Sequence, residues 1–131
     1  MERNEKTRAL LAAFGCALVY LLAGKALTAV LPQVPEEAAR MWAFVHRCAA
    51  APIVEELVFR GIIQQLARPL GERQAVALQA VLFAVQHRGP AGMAYALVCG
   101  LVLGTLRSRT GSVWPGMLLH TLNNLLVFAA G

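Results

Sequence analysis

Pro52-Ile53-Val54-Glu55-Glu56-Leu57-Val58-Phe59-Arg60 sets two adjacent carboxylates and an arginine in the middle of an otherwise apolar run. Apolar flanks of this kind suit a helix in a lipid bilayer, where a charge without a partner costs several kcal/mol and marks a functional position by default. Working outward, two further polar islands interrupt apolar sequence, one ending at His87 and one running from His120 to Asn124.

The composition agrees with a membrane setting. Of 131 residues, 58% are hydrophobic and only 15% charged, whereas a soluble domain carries about a quarter charged residues. The net charge of +5 does not indicate nucleic acid, because the basic residues lie singly or in pairs between apolar stretches with no basic stripe interleaved with aromatics. Cys16, Cys48 and Cys99 each fall within an apolar segment and form no CxxC pair, so they read as small buried hydrophobes and not as a redox or metal site. The charged segment Met1 to Arg8 leads into an apolar run too long for a signal peptide, which is expected to be a retained first span.

Five helical segments are expected, giving an all-α, multi-pass membrane helix bundle in a single integral membrane domain over residues 1–131. Ala9 to Leu31 is a span closed by Pro32. A mixed helix runs from about Glu36 to Arg68, with Trp42 at an interface and a kink at Pro52. Gln74 to His87 is a short helix stopped by Gly89-Pro90. Ala91 to Leu106 is a full span whose Gly100 and Gly104 admit a close neighbour. Ser112 then caps a last helix from Val113 to Ala130. Arg3, Lys6 and Arg8, then Arg68 and Arg73, then Arg107 and Arg109 share one side if the chain alternates, which makes that side cytoplasmic, N-terminus included.

Counted from those turns at 1.5 Å per residue, Glu55 and Glu56 lie about 18–20 Å deep, His87 about 21 Å, His120 about 12–17 Å and Asn124 about 18–22 Å. Three helices thus bring polar groups to one layer. Adjacent helical residues point about 100° apart, so Glu55 and Glu56 are expected to face different ways. Glu56 and Arg60 have the i,i+4 spacing of an ion pair, which leaves Glu55 free to hold a water as general base. His120 and Asn124, also i,i+4, can donate hydrogen bonds to a developing oxyanion, or can simply join helices. His87, beside Arg88, can equally be an interfacial histidine. Two non-enzymatic classes remain beside the catalytic one: an immunity or scaffold protein whose polar residues are packing pairs, and a proton-coupled transporter, which usually needs more helices and inverted repeats.

Taken together and in order, Glu55-Glu56-x-x-x-Arg60, Phe83-x-x-x-His87 and His120-x-x-x-Asn124 resemble the motifs of the CPBP intramembrane proteases. That family includes the CAAX prenyl proteases and the bacteriocin-processing or Abi-type proteins. The likeness extends to Gly-Leu-Val-Leu-Gly at 100–104 and Thr-Gly-Ser-Val-Trp at 110–114, and covers a motif-bearing core from about residue 50 to 127. It implies a glutamate-type endopeptidase in which Glu55 and His87 activate the attacking water and His120 and Asn124 form the oxyanion hole. Glu56 and Arg60 would support that site. No cofactor is expected. A Glu55, His87, His120 set can in principle hold zinc with an open fourth position, but no HExxH is present and the metal-free route is preferred. The substrate implied is a membrane-associated peptide or protein with a C-terminal sorting or prenylated tail, met in the bilayer, with no nucleic acid involved. The alanine- and arginine-rich composition suggests a bacterial cytoplasmic membrane.

Overall fold

The computed structural model describes residues 2–32 and 34–131, and among them the ordered structure is all helix. The elements are α1 (Glu2–Val30), α2 (residues 36–66), α3 (Glu72–Ala84), α4 (Gly89–Thr110) and α5 (Trp114–Ala130). The expected five-segment, all-α bundle is therefore what forms. Its boundaries shift in ways that local chemistry explains. The charged N-terminus joins α1 instead of preceding it, aided by a Lys6–Glu2 pair at 2.6 Å. The span expected over Ala91 to Leu106 extends at both ends, because Gly89 (φ 72°) turns the chain into α4 and Pro90 fits its first turn. Ser112 Oγ accepts the Trp114 N–H at 3.3 Å, just ahead of α5.

The expected kink at Pro52 takes another form. Within α2, regular stretches at Glu36–Val45, Ala51–Glu55 and Gln64–Leu66 alternate with wide π-type turns at His46–Ala50 and Glu56–Ile63. The Ala51 N–H reaches back five residues to the His46 carbonyl. Widening just ahead of Pro52 absorbs the missing proline N–H, and the helix continues through it.

What is buried is unusual. Among the largest fully buried side chains, Arg60, Glu56, Gln64 and Gln79 stand beside Phe59 and Ile63, while Leu11, Val19, Val98, Leu118 and Leu126 lie exposed. A polar interior under an apolar exterior fits lipid as the surrounding medium. Two described helices, α1 and α4, are long and apolar enough to cross a bilayer. The apolar part of the interior is built on Ala13 and Ala17 of α1, Phe59 and Ile63 of α2, Leu82, Phe83 and Ala84 of α3, and Ala96 of α4.

Helices α3 and α4 make the closest pairing. A Cβ at Gly100 would stand 2.9 Å from the Ala80 Cα, and Gln79 on α3 donates to the Gly100 carbonyl at 2.8 Å. Gly100→Ala is therefore expected to push the two helices apart and cost about 1–3 kcal/mol. Gly92→Ala on the same helix meets open space and should not lower the unfolding temperature. Thermal unfolding of both variants in detergent checks the contrast.

At one end of the bundle the turn after α2 meets the end of α4. Gln64 donates to the Gly104 carbonyl at 3.0 Å and to Ser108 Oγ at 2.9 Å. Ser108 in turn donates to Glu72, which holds that carboxyl below its ordinary range, with Arg68 at 3.3 Å assisting. Arg68 and Arg107 line the same small polar hollow, so two of the basic turns expected on a common side do meet there.

Candidate active site

Three segments of the chain deliver the polar groups. Glu55 and Glu56 come from α2, at the junction where its second wide turn begins, and Arg60 follows one turn later. Phe83 sits near the end of α3, and His87 lies in the turn beyond it. Helix α3 ends at Ala84, so His87 does not close the helix as expected. The His87 N–H still bonds back to the Ala84 carbonyl at 3.0 Å, which holds the turn. His120 and Asn124 come from α5.

His120 is the meeting point. Its Nδ1 lies 2.9 Å from Glu56 Oε1, and its Nε2 lies 3.5 Å from Glu55 Oε2. The angular separation of adjacent helical residues had assigned the two carboxylates to different faces. They do diverge, but the imidazole enters between them and touches both, one through each nitrogen. Glu56 is fully buried and Glu55 is 20% exposed, so only Glu55 is open to water. Gly116 makes room for Glu56: a Cβ there would stand 2.7 Å from Glu56 Oε2.

The Glu56–Arg60 pair expected from i,i+4 spacing is present, with Nη1 3.1 Å from Oε1 and both side chains fully buried. None of the guanidinium nitrogens has an aligned hydrogen-bond acceptor, so the contact is one of charge and not of directed bonding. The guanidinium also lies over the Phe83 ring, its Cζ 4.5 Å from the centroid. Phe83 is the spacer around which the site is assembled. Its ring meets Phe59 at 5.1 Å, His87 at 4.7 Å and His120 at 5.9 Å, each edge-on.

His87 Nδ1 lies 3.0 Å from the Phe83 carbonyl. Donation there puts the proton on Nδ1 and leaves Nε2 as an acceptor. Asn124 donates from Nδ2 to the Arg47 carbonyl at 2.8 Å, and its Oδ1 accepts from Asn123 at 3.3 Å. One amide hydrogen of Asn124 is therefore used in tying α5 to the first wide turn of α2, and one remains. His87, His120 and Asn124 all line one cavity of about 600 Å³, together with Arg47, Phe83, Tyr95 and Asn123. Glu55 is not on that wall itself. It meets the cavity through the ring of His120.

A set of unrelated packing pairs would scatter these groups among separate partners. Instead, both rings and the amide share a cavity, and the carboxylate meets one of the rings. Among the described residues no three His, Cys, Asp or Glu side chains are arranged to hold a metal ion. Sequence reasoning passed over Gln64 and Gln79, both fully or nearly fully buried. Gln64 was within reach, since Glu56, Arg60 and Gln64 repeat at four-residue spacing along one face of α2.

Residues 37–126, more than half of the chain and inclusive of all six site residues, match the model of the family described as Rce1-like, type II CAAX prenyl endopeptidase Rce1-like. No curated protein and no solved structure matches the chain. With its CPBP motifs, its apolar exterior and its two helices of spanning length, the chain belongs to the Rce1-like family of CAAX endopeptidases and is a membrane peptidase.

Proposed function

We propose that this protein is a multi-pass intramembrane endopeptidase that hydrolyses a peptide bond with a water activated by Glu55. The observation that carries the reading is His120 held between both glutamates on the wall of a cavity that His87 and Asn124 share. Glu55 accepts a proton from the water, whose oxygen attacks the scissile carbonyl. His87, acceptor at Nε2, helps hold the water. The oxyanion of the tetrahedral intermediate takes hydrogen bonds from His120 Nε2–H and the remaining Asn124 N–H. Collapse breaks the C–N bond, and the proton taken by Glu55 passes to the leaving amine. One product gains a carboxylate and the other an amine.

For His120 to serve as donor at Nε2 while Nδ1–H is given to Glu56, both nitrogens must carry protons. Charge counting supports that state: two carboxylates, the Arg60 guanidinium and an imidazolium sum to zero, the arrangement least costly to bury. Glu56 and Arg60 are positioning residues in this scheme, aiming His120 as a carboxylate aims the imidazole of a catalytic triad.

The reaction needs no metal in this reading. The substrate proposed is a membrane-associated peptide with a prenylated or sorting-type C-terminal tail. The setting proposed is a bacterial cytoplasmic membrane with the N-terminus and the Arg68 and Arg107 turns on the cytoplasmic side, within one integral membrane domain. Purified protein in liposomes, given a fluorogenic peptide that ends in a prenylated CAAX sequence, should cleave it at an undiminished rate in the presence of a chelator. Activity lost to the chelator and restored by zinc would replace this mechanism with the metal-dependent one.

A further inference from the structure

Gln64, Ser108 and Glu72 tie α2, α3 and α4 together at the polar hollow of Arg68 and Arg107. The start of α2 and the turn between α3 and α4 therefore lie at the opposite end of the bundle. Gln86 in that turn donates to the Ala17 carbonyl at 3.4 Å, which brings α1 alongside. Between these three elements runs a groove of about 580 Å³ that shares only Arg47 with the wall of the active-site cavity. Lys25, His46, Arg47 and Arg88 line it, and no Asp or Glu does. Among the described residues none of the four enters an ion pair, whereas Arg68 at the other end is matched by Glu72. The basic turns at Arg68 and Arg107 fit the loop pattern of a cytoplasmic face. Lys25, Arg47 and Arg88 stand at the other end, where that pattern gives no reason for them.

The remainder of the lining includes Leu27, Leu31 and Trp42, all exposed apolar side chains. A free inorganic anion would meet the cations and leave the leucines unused, and a bare hydrocarbon chain would do the reverse. An amphiphile with a negative head and an apolar tail uses both, and a bilayer supplies it. A zwitterionic head would bring an ammonium for which the groove holds no carboxylate. We propose that this groove binds one anionic phospholipid, its phosphate held among Lys25, His46 and Arg88 and an acyl chain laid along Leu27 and Leu31. Arg88 can take the phosphate through two parallel N–H bonds, and Lys25 can reach it along its apolar stem. A head held by all three adds to the Gln86 bond in joining α1 to the rest of the bundle. The site does not depend on the peptidase reading.

Trp42 lines the groove and is one of two tryptophans in the chain, so Trp114→Phe protein reports on it alone. That protein is placed in phosphatidylcholine vesicles with a small fraction of either brominated phosphatidylglycerol or brominated phosphatidylcholine. Bromine on a neighbouring acyl chain quenches the tryptophan. Brominated phosphatidylglycerol is expected to bind beside Trp42 about tenfold more tightly than brominated phosphatidylcholine, the effect of two cations near a headgroup. Lys25→Gln with Arg88→Gln should bring that ratio to about one, and Lys25→Arg should keep it. Gly24 also lines the groove, and a Cβ there meets nothing within 4 Å. Gly24→Leu therefore fills the groove without altering a charge, and should weaken phosphatidylglycerol binding. Equal binding of the two lipids overturns the proposal, as does a preference that survives the double variant or is untouched by Gly24→Leu. Loss of the preference to added inorganic phosphate, against chloride of equal ionic strength, would assign the cations to a free anion and overturn it as well.

Discussion

Glu55→Gln is expected to lower kcat for peptide cleavage by about 10²–10⁴-fold, the usual contribution of a positioned general base. The substitution keeps the side chain's length and its ability to accept a hydrogen bond, and removes only the capacity to take a proton. Glu55 is partly exposed, and among the described residues its one ion-pair contact is with His120 at 3.5 Å, so the unfolding temperature should fall less than on loss of the Glu56 carboxylate. That separates it from Glu56, whose carboxylate is fully buried against Arg60 and His120. Rates on the prenylated peptide, beside thermal unfolding of the same preparations, check both halves of the expectation.

Arg60→Met carries the largest expected cost in stability, about 3–5 kcal/mol, because removing one member of a buried pair leaves the other charge uncompensated. Glu56 would retain only His120, and the cation over the Phe83 ring would be gone. The double variant Glu56→Met, Arg60→Met should recover much of that stability, since buried pairs replaced by apolar side chains of similar volume are often neutral or better. Activity should not return with it, because the Nδ1 partner that aims His120 would be missing. Denaturant unfolding of wild type, single and double variants supplies the first comparison, and peptide cleavage supplies the second. A double variant as active as wild type would remove Glu56 and Arg60 from the mechanism.

Much of this architecture was legible in the residues because lipid simplifies the pattern: apolar runs of spanning length, broken by Pro32, by the turn at Arg68 to Arg73 and by Gly111, can hardly be anything but helices. Gly100 and Gly104 announced that some helix would pack closely on α4, and the structure supplies α3. The wide turns of α2 were not legible, since their residues have no distinctive composition and Pro52 on its own signals a kink. The divergence of Glu55 and Glu56 was inferred from ideal helix angles, and those angles omit the span of an imidazole, whose two nitrogens reach two side chains at once. Gln64 and Gln79 were passed over because a neutral amide in an apolar segment looks unremarkable until its carbonyl partners, Gly104 and Gly100, are seen across the interface.

The central claim is that Glu55 and His120 act on one water and one carbonyl as a single unit, and a double-mutant cycle tests it most directly. Cleavage rates are measured for wild type, Glu55→Gln, His120→Ala and the double variant on one prenylated peptide. Groups that act as a unit are strongly non-additive, so the double variant is expected to be no slower than the slower of the two singles. Losses that multiply would mean that the two residues act independently, and would contradict the account.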